Sequence, residues 1–249
     1  MTKLRSLFTE TKLLLRSIPS LITALFVTAV VAMNLLANKS IVNARWLALD
    51  CGILFSWLVF LLMDITTKRF GVRAANILSV TALVINLLFS GIFIATSYIP
   101  GIWSQSYVAG SEGVINGALN ATFRSSWYVI VGSSAAFAVS AVANNFLNVF
   151  FGKLLKNRGF LAFSVSCYAS TLFAQLSDNL LFAFIVSYRF FGWSPLQCVM
   201  CAVTGAVAEL LFEVVFSPVG YRVVKKMEQE GVGQPYLDYL ENRTAEEKV

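Results

Sequence analysis

Long runs of apolar residues, interrupted by short polar connections, divide this chain into segments of similar length. A helix that crosses the hydrocarbon core of a bilayer needs about 20 mostly apolar residues. Windows of that size predict six spans, at about 18–38, 46–66, 74–97, 126–151, 160–187 and 196–221. The connection at about 98–125 is long and rich in Gly, Ser and Asn. The pattern predicts an all-α, polytopic membrane protein in which residues 1–226 form one transmembrane domain.

The basic residues predict how this domain is oriented. All 19 Lys and Arg residues lie in the N-terminal segment, in the second and fourth connections or after the sixth span, except Lys39, Arg45, Arg124 and Arg189. Cytoplasmic connections are enriched in Lys and Arg. Both termini are therefore predicted to be cytoplasmic, with residues 227–249 as a solvated cytoplasmic tail.

Composition supports a membrane protein and excludes several kinds of chemistry. The chain is 57% hydrophobic and 13% charged, whereas soluble domains carry about 25% charged residues. It contains no histidine, which excludes His-ligated metal sites and Ser-His or Cys-His nucleophiles. Its four cysteines all fall in apolar segments, where packing is their usual role. We predict neither a metal site, nor a cofactor, nor an enzyme.

Polar residues inside the spans are the main indication of function. Span five carries Thr171, Gln175 and Asp178 at helical spacing, on one stripe. Span six carries Glu209 and Glu213, four residues apart and therefore on one face. The other spans contribute Asn34, Asp64, Asn86, Asn144, Asn145 and Asn148.

Carboxylates at mid-membrane need compensation, because each costs roughly 2.5–3.5 kcal/mol on insertion scales. The basic residues lie at span ends or outside the spans. The acids are therefore protonated, line a wet cavity or await a ligand that brings its own donors. All three alternatives imply an internal polar site. Isolated Asn residues are more often contacts between helices, and Asp64 is alternatively a local ion pair with Lys68.

Three segments resemble one transporter family. They are "MNLLANKSI" (33–41), "FLLMDITTKRFG" (60–71) and "STLFAQLSDNLLF" (170–182). Together with "FSPVGYRVV" (216–224), they are similar to the queuosine precursor transporters, also called the vitamin uptake transporter family. The resemblance covers about residues 25–226.

This resemblance implies an importer in the cell inner (cytoplasmic) membrane. Its substrate would be a 7-deazaguanine: the 7-cyano or 7-aminomethyl form, or queuine, salvaged for tRNA modification without direct contact with nucleic acid. The expected substrate-binding residues are Asn34, Asn144, Asn145, Asn148, Thr171, Gln175, Asp178 and Glu209, and the candidates for proton coupling are Asp64, Glu209 and Glu213.

Elementary chemistry agrees with such a substrate. A guanine-like edge offers an N–H beside an NH2, and an ionised carboxylate such as Asp178 only accepts hydrogen bonds. The aromatic candidates for stacking on the base are Trp127, Tyr128, Phe173 and Phe182.

Span six departs from the family pattern. Relatives usually carry a lysine near the position of Glu209, and Gln and Asp where this chain has span-four asparagines. The additional acid predicts a preference for an amine-bearing substrate over the neutral cyano form.

The energy source and the partners are open at this stage. The chain lacks a P-loop motif, so proton coupling and facilitated entry both remain. The alternative function is the substrate-binding component of a modular ATP-driven (energy-coupling-factor type) vitamin importer. The small residues Ala24, Thr28 and Ala32 would then be a docking stripe for its coupling subunit. Lipid and the deazapurine are the expected partners, and a homo-oligomer is a further alternative.

Overall fold

A computed structural model describes residues 2–103, 110, 112–155 and 159–246. The chain order is α1 (Thr2–Ser17), α2 (Ser20–Leu36), β1 (Ser40–Asn43), β2 (Ala48–Asp50), α3 (Ile53–Phe70), α4 (Val72–Thr96), α5 (Glu112–Leu154), α6 (Gly159–Phe182), a π-helical segment (Ala183–Ser187), α7 (Tyr188–Phe190), α8 (Pro195–Gln229) and α9 (Gln234–Glu246). The described part of the chain is thus predominantly helical, as predicted.

The candidate membrane spans make this a multi-pass membrane protein. Among the described residues, four helical stretches are long and apolar enough to cross a bilayer: Val72–Thr96, Gly113–Leu154, Gly159–Phe190 and Pro195–Gln229. A fifth arises if Phe8–Ser17 and Ser20–Leu36, bent by 107° at their junction, count as one span. Helix α3 carries three charged residues, Asp64, Lys68 and Arg69, in its 18 residues. Six spans and cytoplasmic termini stay predictions.

Three segments contain secondary structure that the sequence patterns did not predict. Residues 40–50 form an antiparallel hairpin, in which Ser40 pairs with Asp50 and Asn43 with Ala48. The hairpin occupies the predicted start of the second span. Helix α5 begins at Glu112, inside the predicted loop, although part of that loop (104–109 and 111) lies outside the described residues. The predicted tail also contains helix, since α8 continues to Gln229 and α9 follows.

Helix α3 lies at the centre of the helical bundle. Its residues from Val59 to Thr67 are all buried, without an exposed face. The surrounding helices instead expose large apolar side chains such as Leu88, Ile92 and Val215. Apolar side chains on the outside are what a lipid environment requires, because only helices with satisfied backbones and apolar surfaces are stable there. Polar groups on the inner faces of these helices therefore face α3 or one another.

Candidate functional site

A pocket opens between α2, the β1–β2 hairpin, α3, α5, α6 and α8. It encloses about 530 Å³ of empty space, part of it open to solvent. Its lining is Met33, Asn34, Ala37, Leu49, Asp50, Gly52, Ile53, Ser56, Ser133, Asp178, Asn179, Phe182, Cys201, Gly205 and Glu209. Three predicted site residues, Asn34, Asp178 and Glu209, therefore line one cavity.

Glu209 is the most extensively hydrogen-bonded acid of this pocket. Ser56 Oγ, on α3, donates to Glu209 Oε1, and Asn179 Nδ2, on α6, donates to Oε2 at 3.2 Å. With its amide nitrogen turned toward the carboxylate, Gln175 donates to Oε2 at 2.5 Å. Gln175 and Asn179 lie one turn apart on α6, so both reach the same carboxylate. Glu209 thus joins α3, α6 and α8, and Gln175 lies fully buried behind it.

Asp178 is placed differently from Glu209. It is partly buried, and Ser140 Oγ on α5 donates to its Oδ1 at 2.9 Å. Shortly after Asp178, helix α6 widens into the π-helical segment Ala183–Ser187. Such π-helical turns often occur at functional sites. Tyr128 supports this turn, since its hydroxyl donates to the carbonyl of Ile185 at 2.7 Å.

Glycine makes room for the contact between α6 and α8 at the pocket. A Cβ atom on Gly205 would lie 2.7 Å from the amide nitrogen of Asn179, closer than van der Waals contact permits. The absence of a side chain at this position therefore lets Asn179 reach Glu209.

Other predicted residues lie deeper, in a second polar cluster. Asn144 Nδ2 donates to Asp64 Oδ1 at 2.7 Å, and Thr171 Oγ1 donates to Asp64 Oδ2 at 3.5 Å. Asn148 Nδ2 donates to Cys167 Sγ at 3.4 Å. The structure therefore divides the predicted site into pocket residues and deeper residues, rather than one group.

Asn145 and Lys68 have hydrogen-bond partners outside the pocket. Asn145 lies between α3 and α4, where it accepts from Thr67 Oγ1 at 3.0 Å and donates to Asn76 Oδ1 at 2.6 Å. Asp64 and Lys68, the alternative ion pair, bind different residues. Lys68 Nζ donates to Ser166 Oγ at 2.6 Å, whereas Asp64 accepts from Asn144. Lys68 reaches across to α6 in preference to the acid one turn away.

Of the aromatic candidates, only Phe182 is among the pocket-lining residues. Phe173 and Trp127 are more than half exposed on the outer surface. The Tyr128 ring stacks on Phe190, with centroids 5.8 Å apart.

Sequence reasoning missed Asp50, Ser56, Ser140 and Asn179. Asp50 lies in the unpredicted hairpin, where its Oδ1 accepts from the Gly52 amide at 2.7 Å. Serines are common in membrane helices, so neither Ser56 nor Ser140 gave a specific signal. Of these four residues, Asn179 is the one that the sequence could have indicated, because it directly follows Asp178 and lies one helical turn from Gln175.

The fold and pocket define a multi-pass membrane protein with a buried polar cavity between its helices. A comparison with family models finds a match to the family described as "Putative vitamin uptake transporter", over residues 50–223. The chain therefore belongs to this transporter family, which confirms the family predicted from the sequence motifs. Searches among curated proteins and among solved structures find no significant match.

Proposed function

We propose that this protein imports a queuosine precursor, a 7-deazaguanine, across the cytoplasmic membrane. The observation that carries the proposal is the pocket in which Asn34, Asp178 and Glu209 meet. Ligand sites typically combine apolar walls with a few convergent polar groups. In the predicted orientation, the hairpin beside this pocket lies on the outer side, where an imported substrate would arrive.

Asp178 is the better candidate for direct contact with the base. Its Oδ1 accepts from Ser140, and its second oxygen is available to accept from the N–H and NH2 edge of a deazaguanine. Glu209 already accepts from Ser56 and Asn179. We therefore assign Glu209 a positioning and electrostatic role, with Gln175 holding it from behind. Phe182 supplies an aromatic face at the same cavity.

The position of a second pocket supports transport. A second pocket, with about 630 Å³ of empty space, lies at the opposite ends of α3, α6 and α8, lined by Thr67, Lys68, Val149, Gly159, Phe163, Tyr221, Val224, Lys225 and Glu228. Along α3, Asp64 lies between Ser56, which lines the first pocket, and Thr67, which lines the second. The buried polar cluster around Asp64 is therefore located between the two pockets.

Helix α8 is continuous but contains a proline near the second pocket. Pro218 lies inside the helix and has no amide hydrogen to donate to the carbonyl of Val214. The Ser217 hydroxyl donates to that carbonyl at 3.2 Å. Proline is tolerated in membrane helices when such a group replaces the lost bond. This position is the place where α8 can bend during transport.

The alternative is the substrate-binding component of an ATP-driven importer. Ala24 and Thr28 are exposed and Ala32 is half-buried, so the predicted small-residue stripe of α2 is accessible to a partner helix. Proteoliposomes separate the two functions. The purified chain alone should accumulate or equilibrate labelled substrate if it is a transporter, whereas a binding component would retain substrate only at the bound stoichiometry.

The first experiment measures uptake of labelled 7-deazaguanines into cells unable to synthesise queuosine. Wild type is compared with Asp178→Asn, which keeps the shape but replaces an acceptor oxygen by a donor amide. Asp238→Asn, in α9 and remote from the pocket, is the matched control. At equal membrane abundance, we expect wild type and the control to restore tRNA modification and Asp178→Asn to lose at least about tenfold in uptake. Equal uptake by all three would refute the assigned site, and failure of wild type would refute the substrate class.

A further inference from the structure

The deeper cluster contains acids from two helices and a thiol from a third. Asp64 on α3, Cys167 on α6 and Glu213 on α8 place a ligand atom each within 4.8 Å of one another. All three side chains are fully buried. The pocket residues already described do not include any of them.

Several oxygens at this cluster lack a hydrogen-bond partner within the described part of the chain. Both carboxylate oxygens of Glu213 are buried and unpartnered. The same holds for Asn144 Oδ1 and Asn148 Oδ1, although both residues are fully buried. Each asparagine uses its amide nitrogen on a cluster member, Asp64 and Cys167 respectively. These two amide oxygens are a second set of unpartnered acceptors besides the Glu213 carboxylate. They belong to side chains whose amide nitrogens bind Asp64 and Cys167.

The missing partner must offer positive charge or donors to several oxygens at once. Carboxylate and amide oxygens are hard ligands that suit hard cations. A proton shared between Asp64 and Glu213 would satisfy the acids but would leave both asparagine oxygens unpartnered. A cation coordinated by these oxygens would satisfy all of them.

The local charge favours a monovalent cation. Lys68 lies one turn beyond Asp64 on α3 and donates to Ser166, so its positive charge lies near Asp64 without forming an ion pair with it. One further positive charge then balances Asp64 and Glu213. Sodium, which binds oxygen ligands, fits this requirement better than a divalent ion.

We propose that Asp64, Glu213, Asn144 and Asn148 form a sodium site that is coupled to the substrate pocket. Glu213 lies one turn from Glu209 on α8, and Thr171, which donates to Asp64, lies one turn from Gln175 on α6. An ion that fixes α3, α5 and α8 relative to one another, with α6 connected to Asp64 through Thr171, therefore also fixes the pocket residues. The coupling rests on the proposed function, whereas the ion site does not.

The test measures sodium binding to the purified full-length chain without substrate. Binding of ²²Na⁺ is compared for wild type, Glu213→Gln, Asn148→Ala and the control Asp238→Asn, which lies in α9 outside both sites. We expect at least tenfold weaker sodium binding in the two cluster variants, and wild-type sodium binding in Asp238→Asn. If Glu213→Gln does not fold, Asn148→Ala still tests the site, because this substitution changes no charge.

The competing outcomes are distinguishable. Saturable ²²Na⁺ binding that sodium displaces and choline does not would support the site. No saturable binding, unchanged binding in both cluster variants, or displacement by micromolar Mg²⁺ or Ca²⁺ would overturn the ion site. Substrate uptake driven by a pH gradient in the absence of sodium would overturn its coupling to transport. If sodium binds but no deazaguanine does, the ion site stands and the proposed substrate fails.

Discussion

The hydroxyl of Ser140 on α5 donates to Asp178 Oδ1 on α6 at 2.9 Å. This bond fixes one oxygen of the acid and leaves the other for a donor from a ligand. It also connects two helices that contact each other along much of their length. The orientation of the proposed ligand contact therefore depends on a residue from a neighbouring helix.

Removing this hydroxyl should weaken substrate binding. We expect Ser140→Ala to bind a 7-deazaguanine about fivefold less tightly, because a hydrogen bond between membrane helices contributes about 1 kcal/mol. Equilibrium binding to the purified protein measures the effect. Ser134→Ala is the matched control, since Ser134 is buried on the same helix without a hydrogen-bond partner in the described residues. An equal loss in both variants would contradict a specific role for Ser140.

A methyl group at Gly205 should disrupt the pocket from the α8 side. It would collide with the Asn179 amide and displace it from Glu209. We expect Gly205→Ala to reduce substrate affinity by about tenfold, because the end of the Asn179 side chain must turn away and its hydrogen bond to Glu209 is lost. Gly91→Ala is the control because a Cβ there meets no atom within 4 Å. Unchanged affinity in a folded Gly205→Ala protein would contradict this account of the pocket.

Neutralising Glu209 should change substrate preference. In wild type we expect the aminomethyl compound or queuine to compete for uptake better than the cyano compound, because Glu209 adds negative charge beside Asp178. Glu209→Gln should reduce this preference by about tenfold, the effect of roughly 1.4 kcal/mol. Competition uptake with both compounds measures the ratio. A ratio that is the same in wild type and variant would contradict an electrostatic role.

The ends of the chain are joined through one buried acid. Glu10 on α1 accepts from Arg73 Nη2 at 2.6 Å and from Arg243 Nη1 at 2.9 Å, and it is fully buried. We expect Glu10→Gln to lower the free energy of unfolding by about 1–2 kcal/mol. This loss is smaller than the loss expected on breaking a fully buried ion pair, because both arginines are partly exposed. Thermal unfolding in detergent measures this change.

The control for Glu10 is an exposed ion pair of similar composition. Glu230 lies 3.8 Å from Lys226 at the end of α8, with both side chains more than half exposed. Glu230→Gln should change the unfolding free energy by less than about 0.5 kcal/mol. Equal effects of the two substitutions would show that the Glu10 contacts do not hold the chain ends together.

Tyr236 should make the stability of the α9 contact depend on alkaline pH. It is fully buried and packs edge-on against Phe70 of α3, with centroids 6.4 Å apart. Burial, with Glu10 nearby, raises the pKa of Tyr236 to about 12 from 10.0. The unfolded chain therefore loses this proton at lower pH than the folded chain, so stability falls as pH rises from about 10 to 12.

Phenylalanine at this position removes the titration. Because the Tyr236 hydroxyl is buried without a hydrogen-bond partner among the described residues, Tyr236→Phe should be as stable as wild type at pH 8. Between pH 10 and 12 it should lose less stability than wild type. Tyr236→Ala should cost about 3 kcal/mol at either pH, because it leaves a cavity. Identical pH profiles for wild type and Tyr236→Phe would contradict the assignment.

Sequence patterns predicted the long apolar helices well and the connections poorly. The predicted starts at about 74, 160 and 196 agree closely with α4, α6 and α8, since each apolar run begins abruptly after a polar or Gly/Pro-containing connection. The β1–β2 hairpin was missed because Ala48–Asp50 continues an apolar run into α3. The first turns of α5, "EGVINGALN", contain residues typical of loops, and tertiary context outweighs such weak preferences.

The sequence by itself determined that this is a polytopic membrane protein with costly acids inside its helices and identified its family. These properties are local, because the length of an apolar run and the cost of an unpaired carboxylate in lipid do not depend on which helices are neighbours. The tertiary structure decided that Asp178 and Glu209 share a pocket with Asn179, while Asp64 and Glu213 form a separate, deeper cluster. That division depends on how the helices are packed and rotated against one another, which their individual residue patterns leave undetermined.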